Sequence, residues 1–366
     1  MQAKNSTVRR HVLRCVVAGA LSASVLASSI AFAANASAAD TKPKVIASFS
    51  ILADIAQQVA GPDAVVDVLV DRNSDAHGFE PTPRDARKLG AADVLIVNGL
   101  GFESWLPRLQ QASGFKGTVV TASAGVKARE FGAGDQTGHY HKHDDGHKHK
   151  HDDGHKHEHD HKHDDGHKHA HTHDHKNDGD HAHDHSHAGH DHGPQDPHAW
   201  QSLENGRIYA LNIASALAKA DPAHADGYNT RAKAYLAEID QLDARLKRDF
   251  AALPAERRKV VSSHDAFGYF GQSYGVTFLP ASGLSTSAEP SASGFARLIE
   301  QVKREKVSAL FVENVSSPRV VEQIARETQA KVGGTLYSDA LAKDGQASTY
   351  LGMFEWNATQ LLNALK

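Results

Sequence analysis

From Lys44 onward, short unbroken apolar runs alternate with longer stretches whose apolar positions recur every three or four residues. Val45–Phe49, Val65–Val70 and Val94–Val97 are rich in β-branched and aliphatic residues, which predicts strands, with Val94–Val97 a continuous buried one. Ile51–Val59 and Pro83–Leu89 predict helices between them, the second opening on proline. The same rhythm returns later. Strands are predicted at Lys259–Ser262, Val276–Leu279, Ala309–Val312 and Lys331–Gly333, with helices at Phe295–Lys303, Arg319–Thr328 and Ser348–Leu365. Between the two halves, Tyr228, Ala232, Tyr235, Ile239, Leu242, Leu246 and Phe250 repeat at spacings of 3 and 4. That stripe predicts one long helix from about Ala223 to Leu253, with Pro254 just past its end. Strand–helix alternation is the signature of an α/β domain with a largely parallel sheet. The expected organisation is therefore two similar α/β lobes, with parallel-type central sheets, joined by one long helix. The N-terminal lobe covers 39–222, the linking helix 223–253 and the C-terminal lobe 254–366.

Two segments depart from this pattern. At the start, Lys4, Arg9, Arg10 and Arg14 precede an apolar stretch from Cys15 to about Ala33, followed by Ala31-Phe32-Ala33 and Ala36-Ser37-Ala38. Basic, apolar, then small residues is the order of a secretory signal peptide, expected over 1–38 and cleaved after Ala33 or Ala38. Arg9-Arg10 is a loose twin-arginine match, so both export routes stay open. No other segment approaches about 18 apolar residues, so no membrane span is expected after cleavage. The mature chain should be soluble and periplasmic. Cys15 is the only cysteine, which leaves the exported chain without a disulfide or a thiolate ligand. Any metal site must use His, Asp or Glu. A net charge of −4 offers no basic face for nucleic acid.

The second departure is Gly138–Gly193. Of 27 histidines, 22 lie between His139 and His192, and His-Asp-Asp-Gly-His-Lys-His occurs three times, from His143, His151 and His163. So few apolar residues cannot offset the entropy of ordering the backbone, which predicts a disordered His-rich loop over 138–193 inserted in the first lobe. Imidazoles at near-alternate positions with interspersed Asp suit weak, multivalent Zn²⁺ binding. The auxiliary ligands expected are His143, His147, His149, His151, His155, His157, His163, His167 and His169, serving zinc capture or buffering.

Outside the leader and the loop, four histidines remain. His224, at the entry to the long helix, reads as a solvated surface residue. His77, His198 and His264 each sit in a loop just after a strand or at an element end, and so does Asp339. Ligands of open α/β sheets gather outside the carboxyl ends of the strands, so these four can meet between the lobes. Three nitrogens and one carboxylate oxygen form a borderline-soft set suited to tetrahedral Zn²⁺. Spacing alone leaves other roles open: a loop His is more often a surface group, and Asp196-Pro197 can be a simple turn.

His77-Gly78-Phe79-Glu80-Pro81-Thr82-Pro83, Asp196-Pro197-His198-Ala199-Trp200, Ser263-His264-Asp265-Ala266-Phe267-Gly268-Tyr269-Phe270 and Tyr337-Ser338-Asp339 resemble the metal-binding solute-binding proteins of zinc and manganese ABC transporters. Ala288-Glu289-Pro290-Ser291, Phe311-Val312-Glu313-Asn314 and the His-rich insertion resemble its zinc-uptake branch. The resemblance implies two lobes bridged by a rigid helix, a metal clamped in the cleft by His77, His198, His264 and Asp339, and transient docking on a membrane ABC permease. It further implies a monomer that is not an enzyme. His264 stands where the manganese branch has a carboxylate, which favours Zn²⁺. Ala76 stands where some zinc relatives have a Glu, which points to Asp339 as the fourth ligand. Glu289 is expected to order a loop, Glu313-Asn314 to cap a strand end, Trp200, Phe267 and Phe270 to pack around the site, and Asp265 to support a ligand. The competing readings are a manganese- or other divalent-metal-binding protein and an exported zinc hydrolase. Against the hydrolase stand the lack of a His-Glu-x-x-His helix and a fourth ligand that closes the shell. Gly99-Leu100-Gly101 lacks the third glycine of a dinucleotide fingerprint.

Overall fold

The computed structural model describes residues 42–130, 195–283, 286, 291–307 and 309–366. The expected signal peptide, the His-rich loop with its auxiliary imidazoles, and Glu289 lie outside the described residues.

Two four-stranded parallel sheets organise the chain. The first comprises β1 (Lys44–Phe49), β2 (Val65–Val70), β3 (Val94–Val97) and β4 (Thr118–Thr121), in the order β2-β1-β3-β4. The second comprises β5 (Lys259–Ser262), β6 (Thr277–Pro280), β7 (Ala309–Leu310) and β8 (Lys331–Val332), in the order β6-β5-β7-β8. Both therefore share one winding, with the first strand of each half inside the sheet. Register pairs such as Val45↔Val66, Ile46↔Leu95 and Val261↔Leu310 align the apolar runs. β3 is buried along its whole length, as expected of a strand covered on both faces. β7 and β8 are shorter than the sequence pattern suggests. The chain leaves the ladder after Leu310 and pairs again at the isolated bridge Glu313↔Leu336.

The helices are α1 (Ser50–Ala60), α2 (Pro83–Gly90), α3 (Leu106–Ser113), α4 (Leu203–Ala220), α5 (Ala225–Ala251), α6 (Gly268–Tyr274), α7 (Ala292–Arg304), α8 (Arg319–Thr328) and α9 (Tyr350–Leu365). Thr82 and Asp85 form a capping box ahead of α2, with Pro83 in its first turn. The long helix α5 has 27 residues and buries the seven apolar residues whose spacing predicts it. Four elements, α3, β4, α4 and α6, were not anticipated. In α4, Gly206 lets the Tyr350 phenol pass: a Cβ there would stand 2.5 Å from its oxygen.

The largest apolar core runs from the first sheet through α4 and α5 to the inner side of the second sheet and to α9, including Tyr350, Met353, Phe354 and Leu361. A smaller core, with Val261, Leu310, Val302, Val321 and Ile324, lies between the second sheet and helices α7 and α8. Among the described residues, no helix is long and apolar enough to cross a membrane.

Candidate metal centre

The loops after the strands deliver four side chains to one point. His77 follows β2. Its N–H donates to Asp75 Oδ1 at 2.9 Å, and the Trp105 indole donates to Ala76 O at 2.9 Å. These contacts lean the His77 ring edge-on against Phe102, with centroids 4.8 Å apart. His198 stands just ahead of a short 3₁₀ turn, Ala199–Gln201. Asn98, at the end of β3, donates to Pro197 O at 2.9 Å and accepts from the Tyr209 hydroxyl at 2.5 Å. Nearby, Glu103 accepts from Ser48 Oγ and the backbone N–H groups of Asn98 and Gly99. Burial pushes its carboxyl pKa up despite those bonds.

From the second half comes His264, two residues after β5. Its N–H donates to Glu313 Oε1 at 3.0 Å. Asp339 is braced by the residues around it. Ser338 O accepts from the Trp200 indole at 2.8 Å and from Gln201 Nε2 at 2.6 Å, and Leu341 N–H donates to Ser50 Oγ at 3.0 Å.

His77, His198, His264 and Asp339 each offer a ligand atom, all within 4.8 Å of one another, and all four are buried. His77 Nε2 lies 3.3 Å from both His198 Nε2 and Asp339 Oδ2. His264 Nε2 lies 3.0 Å from Asp339 Oδ2, and His198 Nε2 3.8 Å from Asp339 Oδ1. A tetrahedron with metal–ligand bonds near 2.0 Å has edges of about 3.3 Å. The spacing fits a single tetrahedral ion.

Electrostatics point the same way. Asp196 Oδ1 lies 2.8 Å from His198 Nδ1, and Glu313 Oε2 lies 2.5 Å from His264 Nδ1. Carboxylates accept, so each Nδ1 carries its proton outward, and in the neutral rings each Nε2 turns a lone pair toward the centre. Both Asp339 oxygens, Glu313 Oε2 and both His264 ring nitrogens are buried without a hydrogen bond of suitable geometry, although Glu313 Oε2 and Asp339 Oδ2 stand 2.5 and 3.0 Å from the His264 ring. With the rings neutral, acceptors converge on acceptors, an arrangement that a proton on His264 relieves in the metal-free protein and that a cation would relieve in its place. Burial would raise the Asp339 pKa, but the imidazoles, His264 foremost, hold it well below the usual carboxylate range. Burial would lower His264, but Glu313 and Asp339 outweigh it and hold the imidazole well above its ordinary value. His77 is lowered, chiefly by burial and against the pull of Asp339.

All four expected residues thus come together, and His224 does not join them; its Nδ1 meets Asp221 Oδ2 at 2.7 Å near the surface. One expectation needs correction, and the open reading of Asp196 gains a partner. Glu313 does not simply cap a strand end: it grips both the N–H and the ring of His264. Asp196 is more than a turn residue, because it orients His198. The Asp-x-His spacing could have signalled Asp196, whereas no local pattern links Glu313 to a residue 49 positions earlier. Trp200 packs on His198 and also braces the Asp339 loop. Phe267 and Phe270 pack against each other and against Phe278, in the second lobe.

Residues 45–364 match the family model described as zinc-uptake complex component A, periplasmic. The iron-binding protein YfeA of Yersinia pestis is 29% identical over 321 residues, covering 87% of this chain and 85% of YfeA. The manganese ABC transporter substrate-binding lipoprotein PsaA of Streptococcus pneumoniae is 27% identical over 331 residues, covering 88% of this chain and 89% of PsaA. Among solved structures, a Mn-bound mutant of a periplasmic metal-binding protein from Candidatus Liberibacter asiaticus superposes with a TM-score of 0.68 at 28% identity, over 89% of this chain and 100% of that one. The periplasmic zinc-binding protein TroA of Treponema pallidum has a TM-score of 0.68 at 24% identity, over 88% of this chain and 99% of TroA, a likeness of fold.

Proposed function

We infer the function from one premise: the chain belongs to the family of periplasmic zinc-uptake complex component A proteins, and is a periplasmic metal-binding substrate-binding protein of an ABC transporter. Proteins of this family are solute-binding components rather than enzymes. We propose that the cargo is Zn²⁺ and that His77, His198, His264 and Asp339 hold it. The observation that carries this reading is the donor set itself, three imidazole nitrogens and one carboxylate oxygen converging in a buried cage. Such a set suits Zn²⁺ better than the harder Mn²⁺, which prefers additional oxygen donors.

In this reading the ion sheds its water as the four donors close around it. Asp339 supplies the negative charge, and the Nε2 lone pairs of the three imidazoles supply the softer donors. Asp196 and Glu313 hold two of those rings in the ligating tautomer. Phe102 and Trp200 wall the site with apolar surface, which strengthens every charge interaction inside. The protein, a monomer exported by its signal peptide, docks transiently on a membrane permease, and the cargo leaves when docking pulls the ligand loops apart. The His-rich loop acts beside this site as a weaker capture and buffering device, raising zinc concentration near the cleft.

The test is Zn²⁺ and Mn²⁺ affinity of the chain lacking residues 139–192, with and without His77, His198 and His264 changed together to Ala. One tight zinc site that vanishes in the triple variant is expected. A parent that binds Mn²⁺ more tightly than Zn²⁺ would replace the zinc reading with the manganese one.

A further inference from the structure

Residues 129–130 and 195–196, on either side of the segment that holds the His-rich sequence, meet in a short neck beside the candidate metal centre. Glu130 and Gln195 form an antiparallel bridge, and Asp196 N–H donates to Arg129 O at 2.8 Å. Across this neck, the Arg129 guanidinium lies 2.9 Å from Asp196 Oδ2. The other oxygen of the same carboxylate, Oδ1, accepts from His198 N–H at 3.0 Å and faces His198 Nδ1 at 2.8 Å. Tyr269, in α6 of the second lobe, joins the neck from the other side. Its hydroxyl accepts from Arg129 N–H at 2.8 Å and donates to Asp196 O at 2.9 Å. The Asp196 side chain is fully buried, while that of Arg129 is partly exposed.

We propose that Arg129 is a positioning residue for the cargo ion: its guanidinium fixes the Asp196 carboxylate so that His198 presents Nε2 to the other three donors, while Tyr269 braces the backbone of the neck. This inference rests on the metal-binding reading above and extends it from the four donors to the neck behind one of them. The physical reason is geometric. A carboxylate anchored through one oxygen can still turn about its Cβ–Cγ bond, but one gripped at both oxygens from opposite sides cannot. Orientation of the imidazole then follows, because its Nδ1–H has one fixed acceptor. The Tyr269 hydroxyl bridges the backbones of residues 129 and 196, so the second lobe also braces the neck from which the guanidinium reaches.

Gly268 supplies an independent sign that the guanidinium has a built seat. A Cβ at that position would stand 2.1 Å from Arg129 Nη1, so any side chain there would displace the guanidinium from its place beside Asp196. Its backbone is not in the left-handed region, so alanine is allowed there on conformational grounds.

The experiment compares the parent with Arg129→Met, Arg129→Lys and Gly268→Ala, all in the full chain. Zinc release to excess chelator gives the dissociation rate, ¹⁵N shifts of the His198 ring report its tautomer, and thermal melting reports the fold. Arg129→Met and Gly268→Ala should each release zinc about tenfold faster or more, with a mixed His198 tautomer in the metal-free protein. Arg129→Lys, which keeps the charge, should recover part of the loss. Gly268→Ala should do this without lowering the melting temperature, a combination that a merely structural role would not produce. Parent-like release and a single parent-like tautomer in both Arg129→Met and Gly268→Ala would overturn the proposal. Should Arg129→Met fail to fold, Gly268→Ala decides. If the parent itself held no tight zinc, the metal reading would fall, whereas parent-like variants beside a tight parent would sink the positioning role alone.

Discussion

Glu313 Oε2 lies 2.5 Å from His264 Nδ1, on the side of the ring opposite Asp339, while Oε1 of the same carboxylate accepts the His264 N–H. One side chain thus fixes both the backbone and the imidazole of a candidate ligand. Replacing Glu313 with Gln keeps the shape but removes the charged acceptor. Zinc affinity should drop by about tenfold to a hundredfold in a competition titration against a chelator. An unchanged affinity would mean that the contact does nothing for the ion.

Proton release on loading follows from the same pair. Glu313 and Asp339 outweigh burial and raise the His264 pKa, so in the metal-free protein this ring holds its second proton more firmly than a free imidazole does. The Nε2 proton faces Asp339 and must leave before that nitrogen can bind an ion. Loading should therefore expel about one proton, and apparent affinity should rise roughly tenfold per pH unit as long as pH stays below the His264 pKa. As pH falls, affinity falls with it. Calorimetry in two buffers of different ionisation enthalpy counts the protons, and a count of zero would contradict the assignment.

Removing residues 139–192 tests the proposed division of zinc binding between the loop and the cage. Total bound zinc per chain should fall to one, while the tight affinity stays within about twofold of the parent. Metal analysis after gel filtration, together with a chelator titration, reads both quantities. Loss of the tight site in the deleted chain would show that the loop and the cage are not separate devices.

Tyr350 ties α9 to the turn that carries His198. Its hydroxyl donates to Trp200 O at 2.7 Å and is 3.3 Å from Ser202 O, and the residue is fully buried. Tyr350→Phe leaves a buried carbonyl short of a donor and should cost about 1–3 kcal/mol. Urea unfolding should show a lower midpoint with an unchanged slope.

Much of this architecture is legible along the chain. The bounds of β2, β3, β5 and α8 coincide with the apolar runs and helical periods that predict them, because strongly patterned segments bury the faces their pattern marks. The helix α4 is harder to see. Asn205, Gly206 and Asn212 are weak helix formers, and small residues such as Gly206 and Ala210 stand on its buried face. Its apolar positions do recur at helical spacing, but the close approach of Tyr350, which makes Gly206 fit, lies far along the chain. The four candidate ligands are legible as types and by family motif. Their second partners are legible only where they are local, as Asp196 is to His198. Glu313 and Arg129 act through folded proximity, and no periodicity encodes a carboxylate that meets a ring from another strand end.

The placement of α9 also bears on how the molecule is made. Tyr350, Met353, Phe354 and Leu361 fill the core that α1 and α5 begin, so the earlier half of the chain has no complete interior until these late residues arrive. Completion of the first lobe is thus tied to arrival of the last helix, and a chain shortened before Tyr350 would leave bare the apolar surface of α1 and α5 that this helix covers.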